Sequence, residues 1–522
     1  MTNKQLSYAI MNTTGTRRKD GPEQTHERTL AHNTIWNLSG YAAPLLAALI
    51  AIPILIRNLG TAQYGALTIA WGVVGYFSVF DMGLDNALAK LVSERVGVGG
   101  KAEKEINSFF YTAFLLLLIS SVIGGVLVFA FSRPLSYGWL KIPLELKSET
   151  TTVLRIFAFA LPFAVSVAGF RGILYAYQRF DLLNKVQIAA GAFSFLGPLA
   201  VLPFSRRLVP VVAVLAIGRA LAWLAYGVLC FHVAPDLKRR VSGGSECVRE
   251  LAKFGGWISI SNVAEPMFLY SDRLILGALL SMSAVAFYAI PFDLVIRLWI
   301  IPDALNSALF PTYVISLRDG GRRAMMLFEK ASRYLFLTMF APVLFVMLFA
   351  TDLLSIWIGP EFAAHSALVM KWLALGVFFS SIGRIPWTML LAAHRPDIPA
   401  KLVLFEAPVY IALLCFLVKT AGLPGAALAW TIRAVWNCCV LHAVTSYVLP
   451  ASQKAIGKNV TLLAVATIVL ATALLFAGGL GARIAYFVAL ICAEILLGWF
   501  CLLSPEDREI GTGLVLRIVR DI

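Results

Sequence analysis

Fourteen stretches of this chain are continuously apolar over about the length a helix needs to cross some 30 Å of hydrocarbon. They lie near 34–57, 62–89, 108–131, 152–177, 185–204, 209–231, 255–280, 284–312, 334–350, 366–392, 401–418, 424–449, 459–479 and 483–503. Inside a bilayer every backbone polar group must find its partner within the protein, which leaves helices or closed barrels. Barrel strands alternate in polarity over about ten residues. These runs do not alternate, so they predict an all-α polytopic membrane protein of about 14 transmembrane helices. Charged residues make up 14% of the chain, against about 25% in soluble proteins, and a water-soluble domain is excluded.

The runs are duplicated. Leu174 to Lys185 aligns with Leu390 to Lys401 at an offset of 216, and both copies carry Arg-x-Asp followed by Lys four residues after the Asp. Val209-Pro210, Ala213 and Arg219-Ala220 match Leu423-Pro424, Ala427 and Arg433-Ala434 at an offset of 214. Ala62-Gln63-Tyr64-Gly65 pairs more weakly with Ala286-Phe287-Tyr288-Ala289. The repeat predicts two six-helix lobes, 34–231 and 255–449, joined by a polar linker at 232–254. A basic tail at 1–33 precedes them, and residues 450–522 add two further helices and a charged tail. An even number of spans per lobe gives both lobes one orientation, a parallel duplication of the kind seen in secondary transporters.

Lysine and arginine set the expected orientation. With the amino terminus inside, 28 of the 44 fall on the cytosolic side and nine on the other; the remaining seven lie within spans. Both termini are therefore expected in the cytosol, with the first span retained rather than cleaved as a signal peptide. Much of the +15 net charge is accounted for by topology and calls for no nucleic-acid partner. The seven cysteines show no metal spacing or disulfide framework. No phosphate loop, dinucleotide fingerprint, zincin motif or nucleophile elbow occurs. Uphill transport would thus draw on an ion, potential or substrate gradient, with no cofactor beyond a candidate coupling cation, H+ or Na+.

Charges inside the spans carry the functional reading. Arg171, Arg219, Arg273, Arg297, Arg384 and Arg433 lie deep in apolar runs. Facing lipid they would together cost on the order of 15–20 kcal/mol, so they must face a wet cavity or pair with acids. Candidate acids are Asp81, Asp85, Glu265, Asp272, Asp293, Asp303, Glu406 and Glu494. Asp293 and Arg297 stand four apart, the spacing of a local ion pair. The duplicated Arg219 and Arg433 read first as a repeated packing contact. The alternative is anion recognition, since arginine's planar fork fits phosphate oxygens; Arg273 and Arg297 are the candidates to hold a diphosphate. Pro266 beside Glu265 marks a kink and, with Glu406, a candidate ion-coupling site. Arg179 with Asp181 and Arg395 with Asp397 read as solvated turns, or as a cytosolic gate.

Arg57-Asn58-Leu59-Gly60-Thr61-Ala62-Gln63-Tyr64-Gly65, followed by Phe80-Asp81-Met82-Gly83-Leu84 and Ala87, resembles the amino-terminal pattern of polysaccharide (O-antigen and exopolysaccharide) repeat-unit flippases of the MOP exporter superfamily. The resemblance implies two lobes forming a V-shaped central cavity with alternating access, in the bacterial cytoplasmic membrane. It implies a polyprenyl-diphosphate-linked oligosaccharide as substrate, membrane lipids around it, and a polysaccharide polymerase and other assembly proteins as partners. Mapped onto spans 1, 2, 7 and 8, it brings Arg57, Asp81, Asp85, Glu265, Asp272, Arg273, Asp293 and Arg297 to the cavity. A lipid II flippase and a cation-coupled multidrug exporter of the same superfamily share the topology, although deep arginines fit poorly with cationic drugs. A membrane enzyme of glycan assembly would need a large outside loop, and none exceeds about 20 residues.

Overall fold

A computed structural model describes residues 22–76, 83–96, 101–238, 247–251, 268–318, 321–476 and 478–502. Among the described residues the elements are helical, and nine helices are long and apolar enough to cross a membrane. By contacts the chain forms two compact units, Met1–Ala286 and Phe287–Ile522.

The first unit opens with α1 (Pro22–Tyr76), which breaks at Gly60. There φ is +79°, a left-handed conformation glycine adopts without a Cβ penalty. The two expected spans at 34–57 and 62–89 meet at this break. Within the second run, Leu84–Ser93 (α2) is a separate helix started by left-handed Gly83. Helices α3 (Lys101–Pro134), α4 (Leu144–Ala176), α5 (Phe180–Val201) and α6 (Leu208–Val233) follow. A further helix, α7, covers 268–279. Helix α4 is the centre of the unit, packed against α2, α3 and α6, while α1 lies along α5. Gly172 allows the close approach of α2 to α4: a Cβ there would meet the Asp85 carbonyl oxygen at 2.9 Å. Small residues at helix contacts let backbones come together where lipid supplies no hydrophobic drive.

The boundary between the units falls within α8 (Met282–Val295), and a 3-10 turn at Ile296–Trp299 and α9 (Ile300–Arg318) follow in the second unit. Then come α10 (Arg322–Trp357), α11 (Pro360–Ala392), α12 (Asp397–Val448), α13 (Gln453–Leu475) and α14 (Leu480–Leu497). Helix α12 changes direction at Gly422, where φ is +64°. Its halves are the two spans expected at 401–418 and 424–449, joined through one residue. Buried α11 packs between α10 and α12 as α4 packs between α3 and α6.

The duplication is written in the backbone. Helices α4 and α11 are both 33 residues long, and their ends differ by 216 at each terminus. Each closes with the same pair of hydrogen bonds. Arg179 N–H donates to the Leu174 carbonyl and Gln178 N–H to that of Tyr175; Arg395 N–H donates to Leu390 and His394 N–H to Leu391. This is a Schellman cap, whose penultimate residue must be left-handed. Gln178 (φ +55°) and His394 (φ +57°) fill that place, and among the described residues they are the two non-glycines with positive φ.

Candidate functional site

Each intramembrane charge reaches its position from a helix the apolar pattern already fixes, so the question is where the charge finds its partner. Glu406 of α12 is 3% exposed. It accepts a hydrogen bond from Arg433 Nη1 at 3.0 Å and from Asn437 Nδ2 at 2.7 Å, both from the second half of the same helix across the Gly422 break. The Arg433 guanidinium also lies over the rings of Tyr410 and Trp430, at 5.5 and 5.6 Å. This is a closed ionic socket.

Other deep arginines are also paired. Arg171 of α4 donates to Asp85 of α2 at 2.9 Å, and Asp85 also accepts from Asn86 N–H at 2.7 Å. Arg384 of α11 pairs with Asp303 of α9 and stacks 4.0 Å from the Trp299 ring, whose Nε1 donates to Ser380 at 2.9 Å. Arg483 at the start of α14 makes a two-point contact with Asp352 of α10 and donates to the Leu348 carbonyl at 3.2 Å. With Phe487 against Phe345 and Phe349, it docks the last helix on α10.

The expected local pair of Asp293 and Arg297 does not form. The α-helix gives way to the 3-10 turn at Ile296–Trp299, which alters the side-chain register that an i,i+4 pair needs. Arg297 is exposed, and among the described residues it has no ion pair. Asp293 is part-buried and has partners of its own. Arg57 is exposed three residues before the Gly60 break. Arg273 of α7 is 3% exposed and lies over the Tyr270 ring at 5.4 Å, beside fully buried Asp272. Glu265 and Asp81 lie outside the described residues.

Arg219 of α6 stands apart. It keeps accessible surface in the middle of an apolar helix. Among the described residues it makes no ion pair or hydrogen bond.

At the duplicated caps, Arg179 grips Asp181 with two hydrogen bonds of 3.0 and 3.1 Å. Arg395 does the same to Asp397 at 3.0 and 3.3 Å, with Lys401 adding a third contact at 3.3 Å. The Arg179 hydrogen bond holds the Asp181 carboxyl below its ordinary range. Sequence reasoning paired the arginines and aspartates through their repeat. It could not see that the cap between them is left-handed, because neither Gln nor His signals that conformation.

Residues 30–315 match the family described as polysaccharide biosynthesis protein. The chain belongs to this family. A candidate O-antigen transporter of Shigella flexneri is 29% identical over 420 residues, covering 79% of this chain and 97% of that protein. Among solved structures, an inward-facing multidrug resistance transporter of the MATE family and MOP superfamily superposes with a TM-score of 0.68 at 15% identity, over 80% of this chain and 99% of its own. The lipid II flippase MurJ in an inward closed conformation gives 0.66 at 13% identity, over 89% of this chain and 99% of its own. The fold is like that of these two transporters, and the protein crosses the membrane many times.

Proposed function

We propose that this protein is a flippase. It moves a polyprenyl-diphosphate-linked oligosaccharide repeat unit from the cytosolic to the outer leaflet of the bacterial cytoplasmic membrane by alternating access, and so supplies surface polysaccharide synthesis. The match to the polysaccharide biosynthesis family over residues 30–315 carries this reading. The likeness in fold to a lipid II flippase supports it. No chemical step on the glycan is required of the chain; its work is transport.

In this proposal both termini are cytosolic, and 34–231 and 255–449 are the two lobes around a central cavity. Arg273 and Arg297 meet the diphosphate, with Arg57, Asp85 and Asp293 along the sugar path. The ion pairs at Arg179/Asp181 and Arg395/Asp397 close the cytosolic end. Glu265 and Glu406 are the carboxylates for a coupling H+ or Na+. Because Glu406 is held by Arg433 and Asn437, a cation there would have to compete with a guanidinium. A polymerase and other assembly proteins receive the product.

The test is mass spectrometry of lipid extracts from cells with and without the gene. One polyprenyl-diphosphate oligosaccharide should accumulate on loss and disappear on complementation. The multidrug-exporter reading rests on the fold likeness to the MATE transporter. No glycan build-up, with new sensitivity to cationic dyes, would replace the proposal with that one.

A further inference from the structure

The hairpin between α3 and α4 holds cations that no acid neutralises. Arg155 lies eleven residues after Leu144, the first residue of α4, which at 1.5 Å per residue is about 16 Å along the helix. It is exposed. Phe159, one turn further on the same face, is 70% exposed. A span that presents an apolar face in this way presents it to lipid. Arg155 Nε donates to Ser132 Oγ at 3.4 Å, and the guanidinium lies over the Phe129 ring at 5.0 Å. Ser132 in turn donates to the Phe129 carbonyl at 2.7 Å. The N–H groups on the two Nη atoms of Arg155 have no partner among the described residues.

Two more cations gather nearer the tip of the hairpin. Arg133 and Lys147 lie over the Tyr137 ring, at 5.9 and 5.6 Å. Tyr137 belongs to the π-helical turn that closes α3, and it is itself exposed. The acids of α4 are Glu145 and Glu149. Among the described residues neither they nor any other carboxylate forms an ion pair with Arg133, Lys147 or Arg155. The hairpin's other cation, Lys141, is committed elsewhere: its Nζ donates to the Leu279 carbonyl at 2.6 Å. In the orientation derived above, this is the membrane face that Lys and Arg avoid, so a cluster here is not a topology signal. A guanidinium turned to hydrocarbon without an anion is costly, and the protein offers none.

We infer that the edge of the α3–α4 hairpin formed by Arg133, Lys147 and Arg155 binds an acidic phospholipid of the surrounding bilayer through its phosphate. Arg133 and Lys147 meet the head group at the tip of the hairpin, and Arg155 reaches up to it with the free side of its fork, which fits two phosphate oxygens. The rings of Phe129 and Phe159, 6.0 Å apart, give an acyl chain an apolar bed below. The ligand is a resident lipid and the site lies on the lipid-facing side of the first unit, so the inference stands whether or not the flippase reading does.

The experiment measures lipid binding to the full-length protein in detergent micelles by native mass spectrometry. Phosphatidylglycerol is the acidic probe, phosphatidylethanolamine the net-neutral one and inorganic phosphate the soluble one. Phosphatidylglycerol should bind about tenfold more tightly than phosphatidylethanolamine. Arg155→Gln should weaken phosphatidylglycerol by about 10-fold or more, the range for hydrogen bonds to charged groups. Arg133→Gln with Lys147→Gln should cost a comparable factor, at about fivefold for each cation near the membrane surface. All three positions carry exposed or half-buried side chains, and thermal unfolding without added lipid should match wild type. The control is Arg206→Gln with Arg207→Gln, two exposed cations in the α5–α6 turn, expected to change binding less than about twofold by the same scale. Phosphatidylglycerol binding unchanged in both test variants would overturn the site. So would equal binding of the two phospholipids in the wild type, or an equal loss in the control, which would mean attraction by net charge alone. Displacement of the lipid by millimolar inorganic phosphate would assign the cluster to a soluble anion and overturn the lipid assignment.

Discussion

Removing Arg433 should be among the most damaging single changes in the second unit, and removing Arg219 should be nearly silent for folding. Glu406 is 3% exposed, and its Arg433 partner is 12% exposed at the side chain, with 3.0 Å between Nη1 and Oε1. At that distance, with an effective dielectric of about 20, the Coulomb attraction is about 5 kcal/mol. Most of it offsets the cost of bringing the two charges out of water. Arg433→Ala leaves the carboxylate behind with one hydrogen bond, from Asn437 at 2.7 Å. Truncating one partner of a buried pair costs about 3–5 kcal/mol, and the surviving Asn437 contact points to the lower end. Arg219→Ala strands no carboxylate and should cost less than about 1 kcal/mol, as for changes that leave no buried group unsatisfied.

The assay is unfolding of the purified protein in micelles, followed with a thiol-reactive dye. Cys230 and Cys438 are free and buried, so their labelling reports loss of packing in each unit. Arg433→Ala should expose Cys438 at a clearly lower temperature than wild type. Glu406→Leu combined with Arg433→Met should return most of the loss, because an apolar pair of similar volume replaces a buried ion pair at little net cost. An Arg433→Ala protein within about 1 kcal/mol of wild type would refute the reasoning. So would a double variant no more stable than the single one.

Four further outcomes are expected. Gln178→Gly and His394→Gly should each stabilise the protein by about 0.5–1 kcal/mol, since each relieves a left-handed non-glycine at a Schellman cap; chemical denaturation in mixed micelles measures this. Gly376→Leu should destabilise by about 1–3 kcal/mol or more through overpacking, because even a Cβ at that position would meet the Trp430 ring at 2.5 Å; the thiol assay reads it at Cys438. Arg483→Ala should loosen α14 from α10 while leaving α4 to α6 intact, so limited proteolysis should first remove the carboxy-terminal helices. In acid the Arg179–Asp181 pair should persist below the ordinary carboxylate pKa and break only as pH falls through the lowered value.

What the sequence made legible is the part fixed by hydropathy. A run such as 366–392 is too long and too apolar to be anything but a buried helix, and α11 spans Pro360–Ala392. The short links near 204–209 and 418–424 were visible as interruptions in the same signal. The separate helix Leu84–Ser93 was hidden because its buried Leu84, Ala87 and Leu88 continue the apolar run before it. The pairing of charges was poorly legible for a different reason. Spacing predicts partners on one helix face, as for Asp293 and Arg297, but the pairs that form join residues 27, 81, 86 and 131 apart. Those distances are set by tertiary packing. Arg219 was legible as half of a repeat, and that repeat concealed its difference from Arg433.

The joint between α5 and α6 differs from its counterpart in a way that matters at the bench. In the first unit residues 202–207 form a turn, with Phe204 90% exposed; in the second, Gly422 alone makes the bend. An inserted epitope, protease site or fluorophore should be accepted at 202–207, where six residues share the geometry. At 422 the same insertion would have to be absorbed by one residue in a conformation few side chains adopt. The ancestral unit has thus left one copy with an editable surface handle and the other with none, and the handle lies on the same polypeptide segment that leads into Arg219.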